Sequence, residues 1–425
     1  MILFLGIVLA ALLFLGTPVF VGLSFAAFLA FALFSDATLT VLAQRMFAGI
    51  DKFSLLAIPF FILGANVMKT GGIAERILHF ALTLIGSVRG GMAYSTQLSS
   101  MFFGAISGSS PATVVAIGNL MYPSLIEKKY GDRFSIGLIT ASGSVALLIP
   151  PSISAIVYAA VTGASVGALF MAGLGAGIVY GLAYIVYIYF HVRKTNVPTE
   201  ERSSLKDILI SARRAGWALG IPVIIIGGIY TGIFTPTESA AVAAVYAIII
   251  ALFVYKEMSF KDLYKITIDS AVSTSQIMLL LAGASIFGYI LTMGQAPQAL
   301  ASLIGGDVSP IMFLLYVNII LLIAGMFIDG SSAIIIMAPL LYPISTSLGI
   351  DPIHFGVIMV ANASIGMFTP PFGLNLFVAQ SQTRLPLTSV MRGVIPFVFI
   401  SIIALLLITY IPQISLLLPD LVYGR

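Results

Sequence analysis

The chain has no cysteine, three histidines and a single tryptophan in 425 residues. Without cysteine there is no disulfide, no thiolate metal site and no cysteine nucleophile. Three histidines leave little for zinc binding or imidazole catalysis. Charge is scarce as well: 20 Lys+Arg and 16 Asp+Glu make up 8% of the chain, against roughly 25% in an ordinary soluble domain. Apolar residues take their place, at 60% of the sequence with a mean hydropathy of +1.11. A soluble fold cannot hide that much apolar surface, which excludes a soluble enzyme, a disulfide scaffold and a nucleic-acid binder. There is no GxxxxGK[ST] loop, so no nucleotide is expected to power the chain, and the serine-rich segments have no histidine near them to act as a base.

The hydrophobic blocks are 2–34, 53–68, 73–88, 92–126, 134–163, 166–191, 217–233, 237–255, 266–293, 310–345, 355–381 and 393–418. A span needs about 20 apolar residues. The first block lacks a basic n-region and a cleavage site, so it reads as retained membrane helix. It is predicted to split into two short helices near Gly16-Thr17-Pro18. Lys and Arg set the orientation. The stretch 191–214 carries six of them, 127–133 three and 256–265 three, and all are expected on the cytoplasmic side. Leu205, Ile208, Leu209 and Ala212 form an amphipathic pattern that suits a separate helix lying at that interface. Trp217 and Tyr255 fit an interfacial aromatic belt, and Thr235-Pro-Thr-Glu238 fits a capping box with proline at the first helical position.

Two blocks are too long for one span and carry a polar centre. Block 92–126 begins and ends on the basic side, with Ser107-Gly-Ser-Ser-Pro111 in its middle. Block 310–345 begins and ends on the charge-poor side, with Asp329-Gly-Ser-Ser332 at its centre. Both read as re-entrant helical hairpins entering from opposite faces. A shift of 220 superimposes Met121-Tyr-Pro-Ser on Leu341-Tyr-Pro-Ile, Ile149-Pro-Pro-Ser on Thr369-Pro-Pro-Phe, and Phe170-Met-Ala-Gly on Val390-Met-Arg-Gly. A slip of two is needed to bring Gly108-Ser-Ser onto Gly330-Ser-Ser. The expected fold is therefore an all-α polytopic membrane protein with two inverted-topology repeats, each holding a re-entrant helical hairpin and a proline-broken transmembrane helix. Its expected divisions are scaffold helices in 1–52, a first repeat in 53–191 (hairpin 92–126, broken helix 134–163), a cytoplasmic arm with scaffold helices in 192–265, and a second repeat in 266–425 (hairpin 310–345, broken helix 355–381).

The breaks carry the chemistry. Each proline removes a backbone donor and opens the helix. Freed carbonyls survive at membrane depth only when buried in protein or lining a polar cavity. Carbonyl oxygens with serine hydroxyls are hard ligands for a small cation, and helix N-termini attract a carboxylate. One such break could merely kink a helix; four in symmetric order point to a site. Residues 266–383 contain Asp269, Asp307, Asp329 and Asp351 but no Lys or Arg. Only Asp329 lies at a hairpin tip, where a bound cation or a proton would neutralise it. The competing role is a cap on the second hairpin arm. In the first hairpin Ser107 or Ser109 takes its place, depending on the slip. Ser154 and Asn375 lie just past the double prolines, where they could face the cavity. His79 reads as a satisfied histidine rather than a proton relay, and Gly173-Leu-Gly-Ala-Gly177 as a helix-packing motif.

Five motifs together resemble one family: Ser107-Gly-Ser-Ser-Pro-Ala-Thr, Ile149-Pro-Pro-Ser152, Asp329-Gly-Ser-Ser332, Phe368-Thr-Pro-Pro-Phe-Gly-Leu-Asn375 and Ile58-Pro-Phe-Phe-Ile-Leu-Gly64. They are similar to those of the large membrane subunit of tripartite ATP-independent periplasmic (TRAP) transporters, and nearly the whole chain is covered. The resemblance implies a sodium-driven elevator-type transporter of the bacterial inner membrane and no enzyme. It also implies two partners, a small four-helix membrane subunit on a separate chain and a periplasmic substrate-binding protein. The substrate would be an organic acid, with the sialic-acid branch the nearest in look. One implied sodium site uses Ser107, Ser109, Ala146, Ile149 and Pro151, and a second uses Gly325, Asp329, Thr369 and Phe372. The implied substrate residues are Ser109, Ser110 and Ser154, joined by Ser152 and Asn375. Rival readings are a stand-alone sodium–dicarboxylate symporter and a non-transporting membrane scaffold subunit.

Overall fold

The computed structural model describes residues 1–85, 88–195, 197, 204–304 and 308–424. Among these residues the regular structure is helical throughout. Asp307 lies outside the described residues, as does much of the polar stretch 196–203. Among the described residues seven helices are long and apolar enough to cross a membrane; the longest are Val166–Lys194 and Phe260–Met293. Shorter apolar helices accompany them, including Ile2–Phe14, Val19–Phe34, Ile153–Thr162, Pro310–Gly325 and Pro352–Gly366. The first two arise as anticipated: Gly16 turns with φ +77 and Pro18 caps the second helix. Leu3, Ile7, Phe14 and Leu15 of this first segment are all exposed, an apolar surface that suits a lipid environment.

Both polar-centred blocks fold as helix pairs. Gly91–Ser107 turns at Gly108 and Ser109 into Ser110–Glu127. Gly108 adopts φ +56, a left-handed turn that glycine takes without strain. Pro310–Gly325 leads through residues 326–329 into Gly330–Ser347. Each pair is followed by a broken helix. Asp132–Ser142 tightens to a 3-10 turn over Gly143–Leu147, crosses a cis peptide at Pro150–Pro151, and resumes at Ile153. Pro352–Gly366 opens, crosses a cis peptide at Pro370–Pro371, and resumes at Leu374. The freed backbone is used rather than stranded: Asn375 N–H donates to the Met367 carbonyl at 2.8 Å, and Gly373 N–H to Thr369 at 3.1 Å.

Helix starts keep one spacing through these segments. The N-caps Ser109 and Asp329 are 220 positions apart, as are the helix starts Asp132 and Pro352. The slip of two is corrected by this. Two Gly-Ser-Ser triplets match as letters, whereas the backbone pairs Ser109 with Asp329 and Ser110 with Gly330.

The expected interfacial helix is also different. Leu205–Pro222 continues through a π turn at Val223–Gly227 to Tyr230, one rod rather than an arm plus a span. Nothing between Leu205 and Pro222 stops a helix, and the π turn absorbs the donor lost at Pro222. The capping box at Thr235 is present, with the Glu238 carboxylate accepting the Thr235 N–H at 2.8 Å and the Thr235 hydroxyl accepting the Glu238 N–H at 3.2 Å. His79 is paired, 3.2 Å from Ser211 Oγ.

Buried polar links tie the helix pairs to the broken helices. Ser142 donates to Gln97 in the first half of the chain, and Asn362 donates to Asn318 Oδ1 at 2.7 Å in the second. Asn318 continues to Thr409 Oγ1 at 3.0 Å. Such links are costly unless satisfied, and once satisfied they fix which helix faces which. Glycines permit the closest approaches. A Cβ at Gly104 would lie 2.8 Å from Ala146 Cα, and one at Gly325 would lie 2.8 Å from Gly366 Cα. Gly173 of the GxxxG motif meets the first break itself, where a Cβ would fall 2.5 Å from the Leu148 carbonyl oxygen.

Candidate substrate and ion site

The first tip is a knot of small polar residues. Ser107 Oγ lies 3.0 Å from Thr113 Oγ1 and accepts the Ser109 N–H at 3.3 Å. Thr113 Oγ1 donates to the Ser109 carbonyl at 2.9 Å. This knot sits directly on the first break, because a Cβ at Gly108 would come within 2.5 Å of the Pro151 carbonyl oxygen. Ser107, Ser109, Ala146 and Pro151 are thereby gathered in one neighbourhood, and Ile149 is buried beside them against Gly177. The group is rich in carbonyl and hydroxyl oxygens and has no charged side chain of its own.

The second tip is built around Asp329. Its Oδ1 accepts the Ser331 and Ser332 N–H groups at 3.0 and 3.1 Å, and its Oδ2 accepts the Ser332 hydroxyl. Asp329 therefore does cap the second arm. A carboxylate offers about four acceptor positions, so these three bonds leave room for one further partner. Gly325 packs against Gly366 close by. Thr369 Oγ1 donates back to the Ile365 carbonyl at 2.6 Å, and Phe372 is exposed with its ring 5.7 Å from that of Phe327.

Both tips open onto one cavity of about 290 Å³. Ser109, Ser110, Ser154, Asp329 and Ser331 supply its polar wall. Gln276, Ile277 and Leu280 face them from the long helix Phe260–Met293. The second tip also touches the first break, since a Cβ at Gly330 would lie 3.5 Å from Leu147 and 3.1 Å from Ala363. The hydroxyl of Ser154 is buried and has no hydrogen-bond partner. In a cavity wall, such a group is held ready for a ligand or water.

Of the residues anticipated for the substrate, Ser109, Ser110 and Ser154 line this cavity. Ser152 does not: its hydroxyl caps the resumed helix, donating to Leu147 O and accepting from Ala155 N at 3.1 Å. Asn375 also lies behind the wall, fully buried, where it donates to Ser110 Oγ at 2.7 Å and to the Thr140 carbonyl at 3.2 Å. Gln276 and Thr113 escaped the sequence reading. A glutamine within a long apolar helix was the available signal for the first; the second needed the fold of the tip.

The family model described as "Tripartite ATP-independent periplasmic transporter, DctM component" matches residues 6–414. The C4-dicarboxylate TRAP transporter large permease protein DctM of Pseudomonas aeruginosa is 46% identical over 389 residues, covering 91% of each chain. The sialic acid TRAP transporter large permease protein SiaM of Vibrio cholerae is 38% identical over 416 residues, covering 97% of each. Among solved structures, the Alcanivorax borkumensis YdaH transporter superimposes with a TM-score of 0.60 at 15% identity, over 91% of this chain and 88% of that one. At that identity the likeness concerns the fold alone.

Proposed function

The chain belongs to the DctM-component family of tripartite ATP-independent periplasmic transporters, and from that premise we propose that it carries an organic acid inward, coupled to sodium, through the cavity between its two tips. Membership makes it a large permease subunit, a multi-pass protein of the bacterial inner membrane and not an enzyme. A tripartite assembly brings a periplasmic binding protein and a small membrane subunit as partners.

One observation carries the proposal: two broken-helix tips, one neutral and one bearing Asp329, meet at a single cavity whose polar groups are the tip hydroxyls, Gln276 and the Asp329 carboxylate. Sodium at the first tip would use Ser107, Ser109 and the carbonyls of Ala146, Ile149 and Pro151. At the second it would use Asp329 with the backbone of Gly325, Thr369 and Phe372. A carboxylate of the substrate would meet the hydroxyls of Ser109, Ser110 and Ser154. Coupling follows if the acid binds the sodium-loaded state more tightly than the empty one. In this reading the repeats are inverted, and an elevator-like displacement of the tips and broken helices carries the cargo past the helices of 1–52 and 192–265. Sialic acid is the first suggestion of the sequence. The higher identity to a relative named for C4-dicarboxylates makes succinate the acid to test alongside it.

The test is uptake into proteoliposomes under an imposed sodium gradient, with and without the two partners, using labelled succinate and labelled sialic acid. Uptake that requires sodium and both partners supports the reading and names the acid. Uptake by the chain alone would favour a stand-alone symporter. No uptake of either acid by the full assembly would return the chain to a scaffold role.

A further inference from the structure

A second polar cleft lies away from the tips, between the helix Thr40–Ile50, the long helix Phe260–Met293, and the ends of Ile153–Thr162 and Gly330–Ser347. It consists of two adjoining spaces of about 270 and 400 Å³ that share Gly49, Lys52, Ser285, Gly288 and Thr292. Gly49 makes the cleft floor, because Ser285 occupies the place where its side chain would be. Two cations stand over this floor. Arg45 holds its guanidinium 4.5 Å above the Tyr289 ring. Lys52 reaches across to donate from its ammonium to the Ala160 carbonyl, near the end of the helix that follows the first break.

Neither cation has an acidic partner among the described residues. Among the described residues the ion pair present is Arg76–Glu257, at another site. Asp51 neighbours Lys52 in sequence but forms no ion pair with it. Burial pulls the Lys52 pKa below the ordinary lysine value, as befits a cation short of counter-charge. Hydroxyls of Ser285, Thr292 and Tyr342 line the same space. The cleft is also placed for arrival. Ala160 lies beside the connector to Val166, and Val166–Lys194 is 29 residues, or roughly 43 Å, long. The cleft is therefore across the membrane from the basic end at Arg193 and Lys194. Along the long helix the tip cavity takes Gln276 to Leu280 and this cleft starts at Leu281, so one helix lines both.

We infer that Arg45 and Lys52 form a carboxylate-receiving subsite at the outer mouth of the path, which takes the incoming acid before it reaches the tips. This rests on the transport reading above and deepens it. The tip cavity has hydroxyls and a carboxylate but no basic side chain, so this cleft supplies the positive charge that an organic anion needs on entry. A carboxylate is a stronger acceptor for an ammonium than a neutral carbonyl. An acid in the cleft therefore draws Lys52 from Ala160 and releases that one tie to the helix after the first break.

The test is acylation of Lys52 by an amine-reactive reagent, read by mass spectrometry on the purified full chain in lipid nanodiscs. Succinate at ten times its Kd should slow labelling of Lys52 about tenfold, leaving Lys261 and Lys265 unaffected. Succinamide, and chloride at matched ionic strength, should not protect. Asp329→Asn should keep the protection, and Arg45→Gln should lose most of it. In sodium-driven uptake by the assembled transporter, Lys52→Gln should raise KM for succinate roughly tenfold with sodium activation unchanged, and Lys52→Arg should restore it. Equal labelling with and without succinate, equal protection by chloride or succinamide, or loss of protection in Asp329→Asn would overturn the subsite. Protection of Lys52 without any sodium-driven uptake would leave the subsite standing and remove the transport reading instead.

Discussion

Asn375 donates a hydrogen bond of 2.7 Å to Ser110 Oγ, joining the helix after the second break to the first residue of the helix after the first tip. The two residues are 265 positions apart and both are fully buried. The same amide holds the Thr140 carbonyl, so one side chain ties the second half of the chain to both the tip and the broken helix of the first.

Asn375→Leu removes the donor and leaves Ser110 Oγ and the Thr140 carbonyl buried without it. A cost of about 1–3 kcal/mol is expected, seen as a lower Tm of the purified chain in detergent. An unchanged Tm would show that the tie contributes nothing.

Asp329→Asn separates capping from charge. Asparagine caps a helix about as well as aspartate, so Tm should change little. Sodium activation of uptake should weaken markedly or vanish. A variant that keeps the normal sodium dependence would remove Asp329 from the second ion site. Asp329→Ala, which loses the cap as well, should also lower stability by about 0.5–2 kcal/mol.

Gly325→Ala places a methyl 2.8 Å from the Gly366 backbone, where no flexible side chain can give way. Overpacking of this kind costs about 1–3 kcal/mol. Thermal unfolding should register it, whereas Gly216→Ala, with open space around the added carbon, should be neutral or slightly stabilising.

Gln276→Leu changes the cavity wall opposite the tips without touching either one. Loss of a polar contact to a charged cargo predicts a KM for the acid raised roughly tenfold, with sodium activation retained. An unaltered KM would mean that the cargo never meets this wall.

The Glu257 carboxyl sits below the usual carboxylate range, chiefly through its hydrogen bond from Arg76. A depressed folded-state pKa gives stability that is present above the unfolded value and lost as pH falls through the folded one. The pair is partly exposed, which limits it to at most about 1 kcal/mol. Stability of the wild-type chain should therefore decline slightly more than that of Glu257→Gln as pH drops below about 4.5.

Much of the architecture was legible because proline and glycine punctuate an otherwise apolar chain. Pro18, the tip centred on Gly108, and both double prolines mark helix ends that the structure keeps. Side-chain direction was harder to read. Asn375 follows a break, a position that in sequence points to the cavity, yet the chain curls back to Met367 there and turns the amide toward Ser110. Ser152 was equally close to a break and became a cap. Gln276 belongs to a helix whose cavity-facing side is set by contacts with distant segments, which no local pattern encodes. The slip between the Gly-Ser-Ser triplets had a similar origin: identical letters were aligned, although the repeat is one of backbone positions.

That backbone correspondence gives Ser109 and Asp329 the same place at the start of two helices, one with a hydroxyl and one with a carboxylate. With one sodium at each tip, the ion near Asp329 is cancelled and the ion near Ser109 is not. On that proposed scheme the two tips together would carry one net positive charge when loaded, before the cargo binds, and one negative charge when empty. A monoanionic cargo brings the loaded form to zero, while a dianion leaves it negative. Each uncompensated charge that crosses 100 mV is worth about 2.3 kcal/mol. On the proposed scheme of one sodium at each tip, the current that accompanies a turnover, and the leg of the cycle on which the membrane voltage acts, would depend on the charge of the cargo and on a single carboxylate present in one tip and absent from the other.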